Sequence, residues 1–228
     1  MIDYRFAYLI GNLFICFPIW LILVLSRRDL FKEIIFISLI GAFVGPLSEL
    51  WYLTDYWKPL LFNNWMIGIE DFLFGFFISG IATSLYEEVF GKRFIKRNRK
   101  NPRWYLGVFP FLILGIILTS ILVFGVGINS LYSSAAILII FSFVIIYKRR
   151  DLILDSLLSG ILLGMIFILI YLVLLTVFPE LINRFWYLDN LSNIFVLRIP
   201  VEELIWAFAV GMFVGPIYEF LVGLRFKK

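Results

Sequence analysis

The chain has 228 residues, of which 62% are hydrophobic and 16% charged, and its mean hydropathy is +0.99. Water-soluble domains average roughly 45–50% apolar and about 25% charged residues, so a soluble globular protein is excluded. Histidine is absent and Cys16 is the single cysteine, which excludes an intrachain disulfide, a His-ligated metal and any His-based triad.

In chain order, seven apolar blocks predict seven membrane spans: Tyr4–Leu25, Leu30–Ser48, Trp65–Val89, Trp104–Phe124, Ser130–Tyr147, Leu152–Phe178 and Pro200–Leu224. About 20 helical residues cross roughly 30 Å of hydrocarbon. Only helices and closed barrels satisfy their backbone in lipid, and these blocks lack the alternation of barrel strands. Asp3 and Arg5 precede an apolar run longer than a signal h-region, without a small-residue cleavage site, so the first block reads as a span. Cys16 inside it reads as a small apolar filler. The fold class expected is an all-α integral membrane protein.

The basic residues predict the orientation. Sixteen of the twenty fall on one side: Arg27, Arg28 and Lys32, then the run from Lys92 to Arg103, then Lys148–Arg150, and finally Arg225, Lys227 and Lys228. Arg5, Lys58, Arg184 and Arg198 remain for the other side. The positive-inside rule then puts the N-terminus outside and the C-terminus in the cytoplasm of a multi-pass cell-membrane protein. The net charge of +4 follows from this distribution and does not point to nucleic acid.

Short segments recur in order. Arg27-Arg28-Asp29-Leu30 returns as Arg149-Arg150-Asp151-Leu152, and Trp51-Tyr52-Leu53 as Trp186-Tyr187-Leu188. Ile69-Glu70-Asp71 is answered by Val201-Glu202-Glu203, Tyr86-Glu87 by Tyr218-Glu219, and Arg93-Phe94 by Arg225-Phe226. The organisation expected is two parallel three-helix repeats, residues 1–100 and 129–228, joined by a linker helix within 101–128. A shared site would lie between the halves, lined by the third and seventh spans.

Each of those spans opens on two adjacent carboxylates, Glu70-Asp71 and Glu202-Glu203, with Pro200 expected near the first helical position. Acids in a first turn serve the helix dipole, but two per helix in both halves point to function. Neighbours on a helix are about 100° apart, so one acid can face the bundle and the other a loop. A carboxyl out of water and beside a like charge holds its proton more tightly, the condition for a general acid. Trp51, Tyr52, Tyr56, Trp57 and Trp65 crowd the loop before one helix, and Phe185, Trp186 and Tyr187 that before the other. Most fit an interfacial aromatic belt. Some can instead wall a cavity and stabilise a cation, with Trp206, one turn beyond Glu202, the better placed. Glu49 could join this outer cluster. At the cytoplasmic ends, Glu87 and Glu219 are expected to pair with the basic flank. The pairs Asp29/Glu33 and Asp151/Asp155 read as caps beside arginines, with Mg²⁺ for a diphosphate as the alternative.

At Pro200-Val201-Glu202-Glu203, followed by Leu204-Ile205-Trp206-Ala207-Phe208, the sequence resembles the membrane-embedded carotenoid (lycopene) cyclases of the paired small-subunit or fused type. The family's mark is Pro-x-Glu-(Glu/Asp) heading the last helix of each half; the first half here has Gly68-Ile69-Glu70-Asp71, with glycine for proline. The resemblance implies acid-catalysed ring closure of linear lycopene-type ends without net redox. It assigns catalysis to Glu202, Glu203, Glu70 and Asp71, while the reading of the aromatic loops places expected substrate contact at Trp206, Trp65, Trp186, Tyr187 and Trp51, with Pro200 beside the acids. The chemistry asks for no metal, nucleotide or flavin. The partners expected are membrane lipid, a carotenoid or other isoprenoid substrate, and a second copy or other carotenoid enzymes. A proton-coupled transporter and a non-catalytic carotenoid-binding protein are the competing readings. A photoreceptor would need a lysine in the last span, which has none before Lys227.

Overall fold

The computed structural model describes residues 3–62, 66–95 and 104–226. The helices are α1 (Tyr4–Ser26), α2 (Phe31–Asp55), α3 (Ile69–Ala82), α4 (Leu85–Val89), α5 (Tyr105–Val126), α6 (Ser130–Lys148), α7 (Ile153–Val177), α8 (Leu181–Phe185) and α9 (Val201–Val222). Strand content among these residues is two short pairs. Phe94–Ile95 (β1) is antiparallel to Arg225–Phe226 (β4), and Phe195–Val196 (β2) to Ile199–Pro200 (β3). Six helices are long and apolar enough to cross a bilayer, so this is an all-α, multi-pass membrane protein.

The third expected span differs. Its helix starts at Ile69, and Trp65 lies outside the described residues. It stops after Ala82, having covered about 21 Å. The Ser84 hydroxyl donates to the carbonyls of Gly80 and Ile81, and that of Thr83 to Glu33, so hydroxyl side chains compete with the helix for its last turn. The chain resumes as α4. Conversely, α2 runs seven residues past its expected end, placing Glu49, Trp51 and Tyr52 on a helix.

Small residues set the closest approaches. Gly41 and Gly45 on α2 face Gly75 on α3: a Cβ on Gly75 would lie 2.1 Å from the Gly41 carbonyl oxygen. On the other side of the bundle Gly211 of α9 meets Ser159 of α7, where a Cβ would lie 2.4 Å from a carbonyl oxygen. In lipid, helices gain by packing rather than by leaving water, and small residues let backbones approach. Gly75→Ala is therefore expected to cost about 1–3 kcal/mol, the range for overpacked cores, read as a lower thermal midpoint in detergent.

The basic end is tied by matching bonds. Arg27 donates to the carbonyls of Glu87 (2.5 Å) and Lys92 (2.7 Å), and Arg149 to those of Glu219 (3.2 Å) and Leu224 (2.6 Å). Arg27 also pairs with Asp29 and Arg149 with Asp151. The hydrogen bond from Arg27 holds the Asp29 carboxyl below the ordinary carboxylate range.

Candidate active site

The helices α3 and α9 begin at the end opposite the basic one, and their first turns carry the four acids, all buried. The residue before each helix decides what the second acid does. Asp71 is the third residue of α3, and its Oδ2 reaches back to accept from the Gly68 N–H at 2.8 Å, half of a capping box. Pro200 stands directly before α9, one residue earlier than the sequence suggests, and has no N–H to offer. Glu203, the equivalent third residue, is thus released from capping. Its carboxylate instead accepts from Tyr171 Oη at 2.5 Å and Trp186 Nε1 at 2.7 Å.

The first acid of each pair serves its own loop. Glu202 Oε1 accepts from the Ser192 N–H at 2.7 Å and the Tyr132 hydroxyl at 2.8 Å. Glu70 Oε1 accepts from the Phe62 N–H at 3.1 Å. The split follows the 100° turn between neighbours. Asp71 and Glu203 line one cavity of about 720 Å³, and Glu70 and Glu202 do not.

That cavity runs between elements from both halves. Tyr8, Asn12 and Glu49 contribute to the acid end, while Phe36, Tyr105 and Ile217 mark the other. Three residues after each cavity acid stands an aromatic ring, Phe74 after Asp71 and Trp206 after Glu203. The two rings stack with centroids 6.0 Å apart and planes at 24°. Trp206 Nε1 donates to Tyr52 Oη at 2.8 Å, which fixes the indole. Glu49 is held by Trp57 Nε1 at 2.8 Å. The arrangement sets two carboxyls and the aromatic faces that can stabilise a positive centre in the lining of one mostly apolar cavity.

The aromatic residues depart from the belt expectation. Trp51, Tyr52, Tyr56, Trp57, Phe185 and Trp186 line the cavity, and five of the six are buried. The two loops are pulled inward as a pair: Trp57 and Trp186 bridge through their backbones, Tyr187 N–H donates to Tyr56 and Lys58 N–H to Phe185. Tyr187 lies outside the cavity lining, its ring under Lys58 Nζ at 4.5 Å. Pro200 is likewise buried away from the cavity, so it acts on the site through the missing N–H. Sequence reasoning missed Tyr171 and Tyr8. Each is a hydroxyl-bearing ring within a long apolar span, which is the signal they carried.

Glu87 and Glu219 also depart from expectation. Both side chains are fully buried, Glu219 against the Glu33 carboxyl, and the arginines expected to pair with them bind their backbone carbonyls instead. Glu33 and Asp155 are buried beside them, while Asp29 and Asp151 stay at the surface with their arginines. Each i,i+4 acid pair is thus split between surface and interior. Among the described residues, no group of three or more His, Cys, Asp or Glu is placed to hold a metal ion. Uncompensated buried charge costs several kcal/mol. Glu87→Gln combined with Glu219→Gln is expected to raise the thermal midpoint at pH 8 by a few degrees, at about 2–4 °C per kcal/mol for a chain of this size.

Residues 129–221 match a protein-family model described as lycopene cyclase. No curated protein and no solved structure matches the chain.

Proposed function

We propose that this chain, whose residues 129–221 match the lycopene cyclase family model, is a member of that family and cyclises the linear end of a carotenoid by acid catalysis within the bilayer. The observation that carries the reading is that Asp71 and Glu203 share one apolar cavity with the stacked Phe74–Trp206 pair. Glu203 delivers a proton to the terminal C=C of the polyene, forming a tertiary cation. The neighbouring double bond attacks it and closes the six-membered ring, so that one C–C σ-bond replaces one π-bond. The faces of Trp206 and Phe74 stabilise the positive charge. Asp71 removes a ring proton, which restores a double bond; proton exchange between the two carboxyls resets the pair. Protons and electrons balance without an oxidant or reductant.

The two acids come from different units, taken as residues 1–100 and 129–228 joined through 101–128; the matched arginine contacts at the basic end support that division. On this reading the halves make one composite site, which explains how a first half with glycine in place of proline still takes part. The positive-inside argument places the acid end toward the outside of the cell membrane. The test is expression in a lycopene-accumulating bacterium, with pigments separated by chromatography. Cyclic carotenoids are expected. Persistence of linear lycopene beside well-inserted protein would overturn the assignment.

A further inference from the structure

A long polyene dissolved in lipid needs a way into a cavity enclosed by helices. The cavity lining itself marks where one lies. Leu39, Phe43 and Leu47 of α2 and Phe109 and Ile116 of α5 line the cavity, yet they are also exposed on the outer surface, Phe43 at 72% and Phe109 at 50%. A side chain can do both only at an opening. By contrast, the wall made by α7 and α9 contributes residues such as Phe167, Tyr171 and Val210, which are buried.

The rim is apolar on both sides, and α5 is the least enclosed of the six long helices. This helix rests on α6, with Phe111 packed against Phe141, Phe213 and Phe220. Toward the acid end it is held to α2 by the Trp51 indole N–H donating to Ser120 Oγ at 3.1 Å. That bond closes the opening next to the carboxyls and leaves it to face the middle of the bilayer, where water is scarce.

We infer that the space between α2 and α5 is a lateral portal through which the polyene chain of the substrate passes from the bilayer into the cavity, end first, toward Asp71 and Glu203. The inference rests on the cyclase reading for the identity of the ligand, and its occupant is the extended conjugated hydrocarbon. Neither polar headgroups nor soluble metabolites match a rim built of Leu, Phe and Ile.

The experiment combines a plug with a label. Leu47→Trp together with Ile116→Trp narrows the rim, and Leu169→Trp, at a lipid-exposed position away from the cavity on α7, is the control. In lycopene-accumulating cells at matched protein levels, the double variant is expected to convert lycopene at least tenfold more slowly, with the control unchanged. In parallel, the photoreactive residue benzoylphenylalanine replaces Leu47, Ile116 or Leu169, and ultraviolet light is applied in the presence of lycopene. Polyene adducts are expected at positions 47 and 116 and not at 169. Cyclisation by the wild type with unslowed double variant, or with equal labelling at all three positions, would overturn the portal alone. A wild type that neither cyclises nor labels would overturn the cyclase reading beneath it.

Discussion

Glu203→Gln is expected to abolish ring closure while Glu202→Gln preserves it. Removing a positioned general acid typically costs 10²–10⁴-fold in rate, and the amide cannot donate a proton to an alkene. The glutamine still fills the space between Tyr171 and Trp186, so insertion and thermal stability should change little. The two acids are neighbours in sequence and equal in chemistry, which makes the comparison sharp. Glu202 accepts from Ser192 and Tyr132 outside the cavity. Its amide variant should weaken the loop before α9, by about 1–3 kcal/mol for a disturbed buried acceptor, and retain turnover per folded molecule. The measurement is the initial rate of lycopene loss, normalised to protein in the membrane. Equal loss in both variants would remove the distinction between a cavity acid and a loop acid. An active Glu203→Gln protein would remove Glu203 from the reaction.

Asp71→Asn is expected to lower the same rate by at least 100-fold, although Asp71 lies outside the stretch that matches the family. The composite cavity is the reason. Asp71 lines it from the first half as Glu203 does from the second, and a cyclisation that releases a proton needs a carboxylate to accept it. The substitution keeps the shape and still allows an acceptor toward the Gly68 N–H, so the start of α3 should hold. Pigment analysis separates the outcomes. Linear lycopene with intact protein supports one shared site. Wild-type amounts of cyclic product would mean that the second half works alone, with the acid of the first half serving only as a cap.

Much of the architecture was legible in the sequence because the bilayer imposes it. Apolar blocks of spanning length can only be helices in lipid, and the six long helices fall where the blocks lie. The third expected span is interrupted for a local reason: hydropathy does not see that Ser84 turns its hydroxyl back on the carbonyls of Gly80 and Ile81 while Thr83 turns its own to Glu33. The acids at the heads of α3 and α9 were also legible, as pairs. Their division of labour was legible only in principle, from the angle between neighbours. Which acid faces inward depends on where α2 and α7 pack, and that in turn depends on Gly41, Gly75 and Gly211, whose role is a close approach that composition does not record.

The aromatic loops teach the same lesson. Tryptophan and tyrosine beside a span fit a membrane interface by default, and nothing in Trp51, Trp57 or Trp186 taken singly overrides it. The backbone bridge between Trp57 and Trp186 draws two loops, 129 positions apart, over the bundle and turns their rings into a cavity wall. Likewise Glu87 and Glu219 sit beside a basic flank in sequence, yet Arg27 and Arg149 spend their donors on backbone carbonyls and on Asp29 and Asp151. By itself, the sequence determined the solvent, the places of the six long apolar helices and the residue types available for chemistry, because each follows from local composition. Only the tertiary structure decided which carboxyls share a cavity, which rings wall it and where it opens. Those depend on contacts between residues far apart in the chain, and no local pattern encodes them.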